Sequence, residues 1–394
     1  MGNAGEEHAQ GLTDSALLPI IQQIVGESVE DIPDWQVQKM GGGAGEHAGF
    51  GLGIYRVTGT ARFEHRGSPW STVLKIAGPT GRTEFDEPSS PEYWKREVFA
   101  YQSGILERLP GGLAAARCYG VDELPDGTYR IWLEDVQDIE GAWTMDQHRL
   151  AARHLGQFNG AYLAGYPLPQ PAKWMLPGRT QYWVESSPPD EESLVRQSKS
   201  EIGRWLSKEN IGRMRRLWDQ RAPLFDVLAR LPGCFCHHDA FRRNLLLRKN
   251  GEGRFETVAV DWQKPGPGKV GQEIGITTAA NLFFVEIPAA RAREFDDAIF
   301  NGYCTGLREA GWQGDLQWAR FGYAVTAALT FGVAFSVMVA RDLAEHGAAI
   351  GEAILGLPID DILDQWEEIH PFLLDLGDEA LELMPAVRSS LLPT

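Results

Sequence analysis

The chain has 394 residues, 43% of them hydrophobic and 13 of them Trp, with a formal net charge of −17. That length points to one to three domains, two being the natural division, with ample material for a core. The acidic balance argues against general affinity for nucleic acid or anionic membrane surfaces, and it suits a cationic small-molecule partner.

Four Cys are scattered, and only Cys234 and Cys236 lie close together. A C-x-C inside an apolar stretch lacks the second ligand pair of a zinc site and reads as buried reduced thiols. The polar, acidic N-terminus shows no basic-then-apolar leader, so a cytoplasmic location is expected. Residues 1–12 read as frayed. Asp14 or Ser15 is placed to cap a helix through Leu17, Leu18, Ile20, Ile21 and Val25, which completes an N-terminal helical extension over residues 1–34.

From residue 35 the pattern is that of strands. Trp35–Met40 leads into a glycine-rich loop over 41–51, with Gly42, Gly43 and Gly45, and Ile54–Val57 returns as a strand. Strand, glycine loop, strand suits a flap over phosphates, because glycines let backbone N–H groups approach anionic oxygens. No G-x-x-x-x-G-K-[ST] run is present, so this is no Walker-type loop. Ser71–Ala77 forms a third strand with Lys75 inside an apolar run, where an ammonium needs a carboxylate or a phosphate. Ser89-Ser90-Pro91 has the form of a helix start, and the predicted helix runs through Tyr93, Glu97, Tyr101 and Ile105. Glu97 shares a face with Tyr93 and Tyr101, which makes it the natural partner of Lys75. Strands over 114–119 and 128–133, around the Pro125-Asp126-Gly127 turn, close this part at Glu134, Asp135 and Val136.

After Asp146 the pattern turns helical: 148–163, then 191–207, then 209–231, with a Pro-rich interruption between the first two. The domain boundary is placed near 136, giving an N-terminal lobe over 35–136 and a C-terminal lobe over 137–394. Helices resume at Gln272. The uncharged run Phe321–Ala340 is long enough to span a bilayer, yet Gly322, Thr326, Thr330, Gly332 and Ser336 read better as a buried central helix.

Between these helical tracts lies the most informative stretch, Cys236-His237-His238-Asp239-Ala240-Phe241-Arg242-Arg243-Asn244, with Val260-Asp261-Trp262 beyond it. The apolar run after Asn244, the turn Lys249–Gly253 and the run Phe255–Val260 form a β-hairpin. A turn centred near Glu252 and Gly253 would set Asn244 opposite Asp261, with Cα atoms about 4.5–5.5 Å apart. Asp239 would face the same spot, giving three oxygen-bearing side chains of the kind hard Mg²⁺ takes.

These residues resemble a family. His237-x-Asp239-x₄-Asn244, Val260-Asp261-Trp262 and a Gly266-Pro267-Gly268 turn are similar to the aminoglycoside phosphotransferase and choline kinase group. Leu74-Lys75-Ile76, Arg96-Glu97 and Leu133-Glu134-Asp135 follow its order, so the likeness covers about residues 35–275. It implies an α+β, protein-kinase-like bilobal fold with a small β-rich N-lobe and a larger helical C-lobe. It implies Asp239 as the catalytic base and Asn244 and Asp261 as Mg²⁺ ligands. Lys75, fixed by Glu97, would contact the α/β phosphates of ATP, with GTP left open as co-substrate. The 41–51 loop would cover the phosphates, and the backbone after Glu134, through Val136, would read the adenine. His237 would order the catalytic loop by hydrogen bonds.

The chain departs from the pattern in four places. His238 stands where the group commonly has Gly. Trp262-Gln263 follows Asp261 in place of Phe-Gly, and Phe241 occupies a position that is Lys in protein kinases; both argue against a protein substrate. Glu273-Ile274 replaces an Asp-Leu pair, which keeps the charge on a longer arm and suits a structural carboxylate. Arg242 and Arg243 read either as helpers of the transferred phosphoryl group or as salt-bridge partners.

The implied reaction is γ-phosphoryl transfer to a hydroxyl of an aminoglycoside, a sugar or an amino alcohol, so antibiotic resistance is one role in view. The alternative is a nucleotide-binding regulatory protein of the same fold without turnover. The acceptor is expected among the catalytic loop, a helical insertion over about 165–230 and the C-terminal helices. Trp174, Tyr182, Trp183 and Trp205 offer aromatic faces to a cation. Asp360, Asp361, Asp364, Glu367 and Glu368 offer acidity to a polyamine, while core aromatics and solvated helix charges explain both groups equally well.

Overall fold

A computed structural model describes residues 3–41, 52–63, 66–79, 81–176 and 178–392. The chain forms two compact units, the first comprising Met1–Leu109, Ala114–Asp138 and Val260–Gln263, the second Pro110–Leu113, Ile139–Ala259 and Lys264–Thr394. Two segments cross the expected division at 136: residues 110–113 group with the second unit, and 260–263 with the first, where Asp261 and Trp262 bond to Lys75 and Glu97.

Helices α1 (Asn3–Gln10) and α2 (Asp14–Val25) open the first unit. Residues 3–12 are not frayed, since Ala9 and Leu12 are buried in one cluster with Leu17, Ile20, Ile21, Tyr55, Leu74, Ile76 and Trp132. The two helices thus belong to the core of this unit and are no mere extension. Thr13, rather than Asp14 or Ser15, occupies the N-cap of α2.

Strands β1 (Asp31–Lys39), β2 (Gly53–Phe63), β3 (Arg66–Ala77), β4 (Leu113–Ala115), β5 (Cys118–Glu123) and β6 (Tyr129–Glu134) follow, with the short helix α3 (Arg96–Gln102) after β3. Five of them form an antiparallel sheet in the order β1-β2-β3-β6-β5. Lys75 stands opposite Ile54 on one side and Ile131 on the other. Strand alternation places it on the face opposite Leu74 and Ile76, whose side chains fill the helix-covered core.

Helix α3 begins at Arg96 and not at Ser90-Pro91. The cause is Arg96 itself, which is fully buried and donates to the carbonyls of Pro88, Ser90 and Pro91 at 2.6–3.2 Å. These bonds draw the 88–91 carbonyls to the guanidinium, and 88–95 winds as turns, in one of which the Ser90 carbonyl also accepts the Tyr93 N–H at 3.2 Å.

The second unit is mainly helical: α4 (Met145–Leu163), α5 (Arg179–Ser186), α6 (Glu191–Gln197), α7 (Lys208–Asp219) and α8 (Arg221–Arg230), then α9 (Gln272–Phe283), α10 (Ala292–Glu309), α11 (Leu316–Ala327), α12 (Ser336–His346), α13 (Ala348–Leu355) and α14 (Ile359–Ser390). The helix expected over 209–231 is two helices that meet at Gln220. Pro223 has no N–H for the carbonyl of Asp219, and its ring crowds that carbonyl, so the run breaks there. Helices α4 and α10 cross at glycines. A Cβ on Gly306 would lie 2.0 Å from the Arg153 carbonyl, and one on Gly302 2.3 Å from that of Arg149.

The apolar run forms one continuous helical stretch, Leu316–His346, with a π-helical section at Ala328–Phe335. It is long and apolar enough to cross a membrane, but 78% of its most apolar window is buried inside the protein, as a central core helix requires. Strand β7 (Gly233–Cys236) pairs with β10 (Gly266–Lys269), and β8 (Leu245–Lys249) with β9 (Phe255–Ala259). Gly266-Pro267-Gly268 is therefore strand, where a turn was expected. Cys234 and Cys236 are buried free thiols that share a hydrogen bond, with their Sγ atoms 3.6 Å apart.

Candidate active site

The loop that carries Asp239 leaves β7 at His237. Glu273, in the first turn of α9, is fully buried and accepts the N–H of His237 at 2.6 Å and that of His238 at 2.9 Å. Burial pushes its carboxyl up to about 7, against the downward pull of the two N–H groups. His238 has φ +62°, a left-handed conformation in which a side chain is strained. Its Nε2 lies 3.2 Å from the Pro267 carbonyl, and burial lowers the imidazole pKa to about 4, so the ring is neutral near pH 7. The Glu that departs from the family's Asp thus reaches two successive backbone donors and fixes the loop at its bend.

Asp239 and Asn244 come together as the sequence suggested. Asn244 Nδ2 donates to the Asp239 carbonyl at 2.9 Å and to its Oδ2 at 3.1 Å. The amide nitrogen being so engaged, the carbonyl end of Asn244 is the part available to a cation. His237 Nδ1 accepts the Asp239 N–H at 3.2 Å, the ordering role expected of it. Arg243 pairs with Glu286 at 2.6 Å, and Arg242 lies over the Trp143 ring at 4.4 Å, so both serve packing and ion pairing.

One residue of this cluster escaped the sequence reading. Arg179, the first residue of α5, is buried, donates to Asp239 Oδ1 at 2.9 Å and also bonds the His238 carbonyl. The Pro-rich segment around it concealed the helix. The available signal was Thr180, Trp183 and Val184, spaced as one helix face after Gly178.

In the first unit, Lys75 bridges two carboxylates, with Nζ 2.5 Å from Glu97 Oε2 and 2.5 Å from Asp261 Oδ1. Burial opposes the ammonium charge, but Asp261 and Glu97 outweigh it and hold the Lys75 pKa above its ordinary value. Burial also pushes the Glu97 carboxyl up, opposed by Lys75 and by the Trp262 N–H, which reaches Glu97 Oε1 at 3.1 Å. Asp261 has φ +61° and keeps about a third of its side chain exposed.

The hairpin register is one residue away from the expected one. Leu245 pairs with Ala259, so continuing the ladder would set Asn244 against Val260 rather than Asp261, and the ladder ends there. The opposed Asn244–Asp261 pair is not formed. The cause is local: Asn244 ends a 3-10 turn, and Asp261 has left extended backbone. Among the described residues, no group of three or more His, Cys, Asp and Glu is arranged to hold a metal.

Glu134 ends β6 with its N–H donated to the Arg117 carbonyl at 2.8 Å, and Val136 follows, half-buried, in irregular chain. Gly42, Gly43 and Gly45 lie outside the described residues. The acidic residues of α14 are largely ion-paired: Arg204 holds Asp364 at 2.5 Å and also Glu367, and Arg213 holds Asp375 and Asp378. Trp205 is fully buried against Trp366 and His370. Of the acids and aromatics expected to meet a cation, Asp364 and Glu367 are thus ion-paired and Trp205 is core, while Tyr182 is exposed.

A family model described as "Phosphotransferase enzyme family" (APH) matches residues 86–314. No curated protein matches the sequence. Solved structures similar to the chain include an amicoumacin kinase in complex with AMP-PNP, Ca²⁺ and Ami, at 15% identity and TM-score 0.48, covering 90% of this chain and 97% of that one. An aminoglycoside phosphotransferase from Alicyclobacillus acidocaldarius has 14% identity and TM-score 0.48, with 92% and 96% covered. An ethanolamine kinase from Plasmodium vivax has 12% identity and TM-score 0.45, with 90% and 83% covered. The β-rich first unit and helical second unit are the two parts expected of the α+β fold. With the family matched over more than half of its length, the chain belongs to the phosphotransferase enzyme family.

Proposed function

We propose that the chain is a small-molecule kinase that transfers the γ-phosphoryl group of ATP to an alcohol. The observation that carries this is the cluster at Asp239, where Asn244 and Arg179 each donate to one carboxylate oxygen and Asp239 remains partly exposed. An ionised Asp so held has acceptor positions left for a substrate hydroxyl.

In this reading Asp239 takes the acceptor's O–H proton as the new P–O bond forms. The bond between the γ-phosphorus and the bridging oxygen breaks, and ADP leaves. Lys75, held by Glu97, binds the α/β phosphates. Asn244 and Asp261 would be the metal ligands, both offering oxygen donors of the kind Mg²⁺ takes. The metal, when bound, offsets charge on the phosphates. Gly42, Gly43 and Gly45 cover the phosphates, and the backbone from Glu134 to Val136 reads the adenine.

Arg204 pairs with Asp364 and Glu367, which weakens the case for a polyamine, so neutral sugars and amino alcohols stand beside aminoglycosides as acceptors, with antibiotic resistance one role among several. The test is a panel of aminoglycosides, amino alcohols and sugars incubated with Mg-ATP, with phosphorylated product read by mass. Phosphorylation of one class supports the proposal. Mg-ATP binding without product from any acceptor or from water would favour the regulatory alternative.

A further inference from the structure

We propose that Arg179 is a positioning residue for phosphoryl transfer, clamping the Asp239 carboxylate and the His238 carbonyl so that the base presents one fixed orientation. The inference rests on the kinase reading of Asp239.

Three observations carry it. Arg179 lies at the start of α5, 60 positions from Asp239 in sequence, yet Nη1 is 2.9 Å from Asp239 Oδ1 and also bonds the carbonyl of His238. The left-handed His238 is thereby held at both ends, its N–H by Glu273 and its carbonyl by Arg179. Asn244 Nδ2 holds the other oxygen, Oδ2, at 3.1 Å, so rotation of the carboxylate about its own axis is resisted from two sides. A buried guanidinium is costly to keep, and this one faces the base with its Nε lacking a protein partner.

The clamp does not block the base. The Asp239 side chain is 22% exposed against 7% for Arg179, and one donor on each oxygen leaves further lone pairs for a substrate O–H. Positioning is where such a group has leverage, because a displacement of about 1 Å at the reacting atoms costs on the order of 10²-fold in rate.

The experiment compares wild type, Arg179→Ala and Arg179→Lys in Mg-ATP turnover, with water or the best panel compound as acceptor. Arg179→Ala is expected to lower kcat by on the order of 10²-fold with the KM for ATP unchanged. Added guanidinium ion should restore part of the loss, a recovery that a merely structural role would not give. Arg179→Lys, whose shorter arm must bring one ammonium to the place of Nη1 to take the same two acceptors, should fall between the two. A folded Arg179→Ala enzyme with wild-type or faster kcat would overturn the proposal, as would a loss that guanidinium does not relieve. Should Arg179→Ala fail to fold, Arg179→Met, which keeps the buried stem and removes the donors, decides: a lower kcat at unchanged KM supports the clamp, and wild-type kcat refutes it. A wild-type chain with no turnover under any condition would instead sink the kinase reading, and this inference with it.

Discussion

Glu273 accepts the His238 N–H at 2.9 Å while the backbone of that histidine stands at φ +62°. The strained bend that presents Asp239 is thus held by one buried carboxylate, which takes the His237 N–H on its other oxygen. Glu273→Gln replaces one of these acceptors with an NH₂ group facing an N–H. We expect a stability loss of about 1–3 kcal/mol, the cost of an unsatisfied buried donor, together with a sharp fall in turnover. Urea unfolding and steady-state kinetics read the two effects. A variant as stable and active as wild type would show that the bend holds without Glu273.

The bridge of Lys75 to Glu97 and Asp261 makes a second prediction. Removing one member of a buried pair leaves a charge without its partner, typically at about 3–5 kcal/mol, while replacing both with apolar groups costs far less. Lys75→Met should therefore destabilise the protein strongly and weaken ATP binding, and Lys75→Met/Glu97→Met should recover stability without recovering ATP binding. Unfolding curves and nucleotide titration test this directly. Additive losses in the double variant would argue that the bridge is not a coupled unit.

The pH dependence of stability in the acid range follows from six buried groups. His148, His154, His238 and His370 are each pushed down by burial to about 4. Unfolded histidines titrate near 6.5, so their contribution is complete above about pH 6.5 and is lost as pH falls towards 4. Glu273 works in the opposite sense: raised to about 7 from an unfolded value near 4.5, it contributes fully below 4.5 and loses that contribution as pH rises through 7. Burial raises the Glu97 carboxyl as well, in the same sense as Glu273. Four histidines oppose two carboxyls, so Tm should climb between pH 4.5 and 6.5, each histidine adding up to about 1.4 kcal/mol per pH unit. His154→Gln should flatten that climb and Glu273→Gln should steepen it. A Tm that falls across this range would contradict the assignment of neutral buried histidines.

What could be read in the sequence was whatever local pattern dictates. Glu97 was legible as the partner of Lys75 because helical spacing put it on the buried face and an ammonium in an apolar strand demands a carboxylate. Asp239 and Asn244 were legible because five residues of loop and 3-10 turn bring them together without help from elsewhere. The misses came from distant contacts. Nothing near Ser90 announces that the Arg96 guanidinium will take the carbonyls of Pro88, Ser90 and Pro91 and hold off the helix. The hairpin pattern fixed the strands but not the register, which the tight turn at Asn250–Arg254 set one residue away. Arg179 joins Asp239 across a sequence separation that no periodicity spans.

The measurement that bears most directly on the central claim is the comparison of wild type with Asp239→Asn in Mg-ATP phosphoryl transfer, with nucleotide binding followed in parallel. Asn keeps the shape of the side chain and removes the carboxylate that takes the proton. The account predicts that ATP binds with unchanged affinity while kcat falls by about 10²–10⁴-fold, the range that general-base catalysis contributes. An Asp239→Asn enzyme that transfers phosphate at the wild-type rate would contradict it.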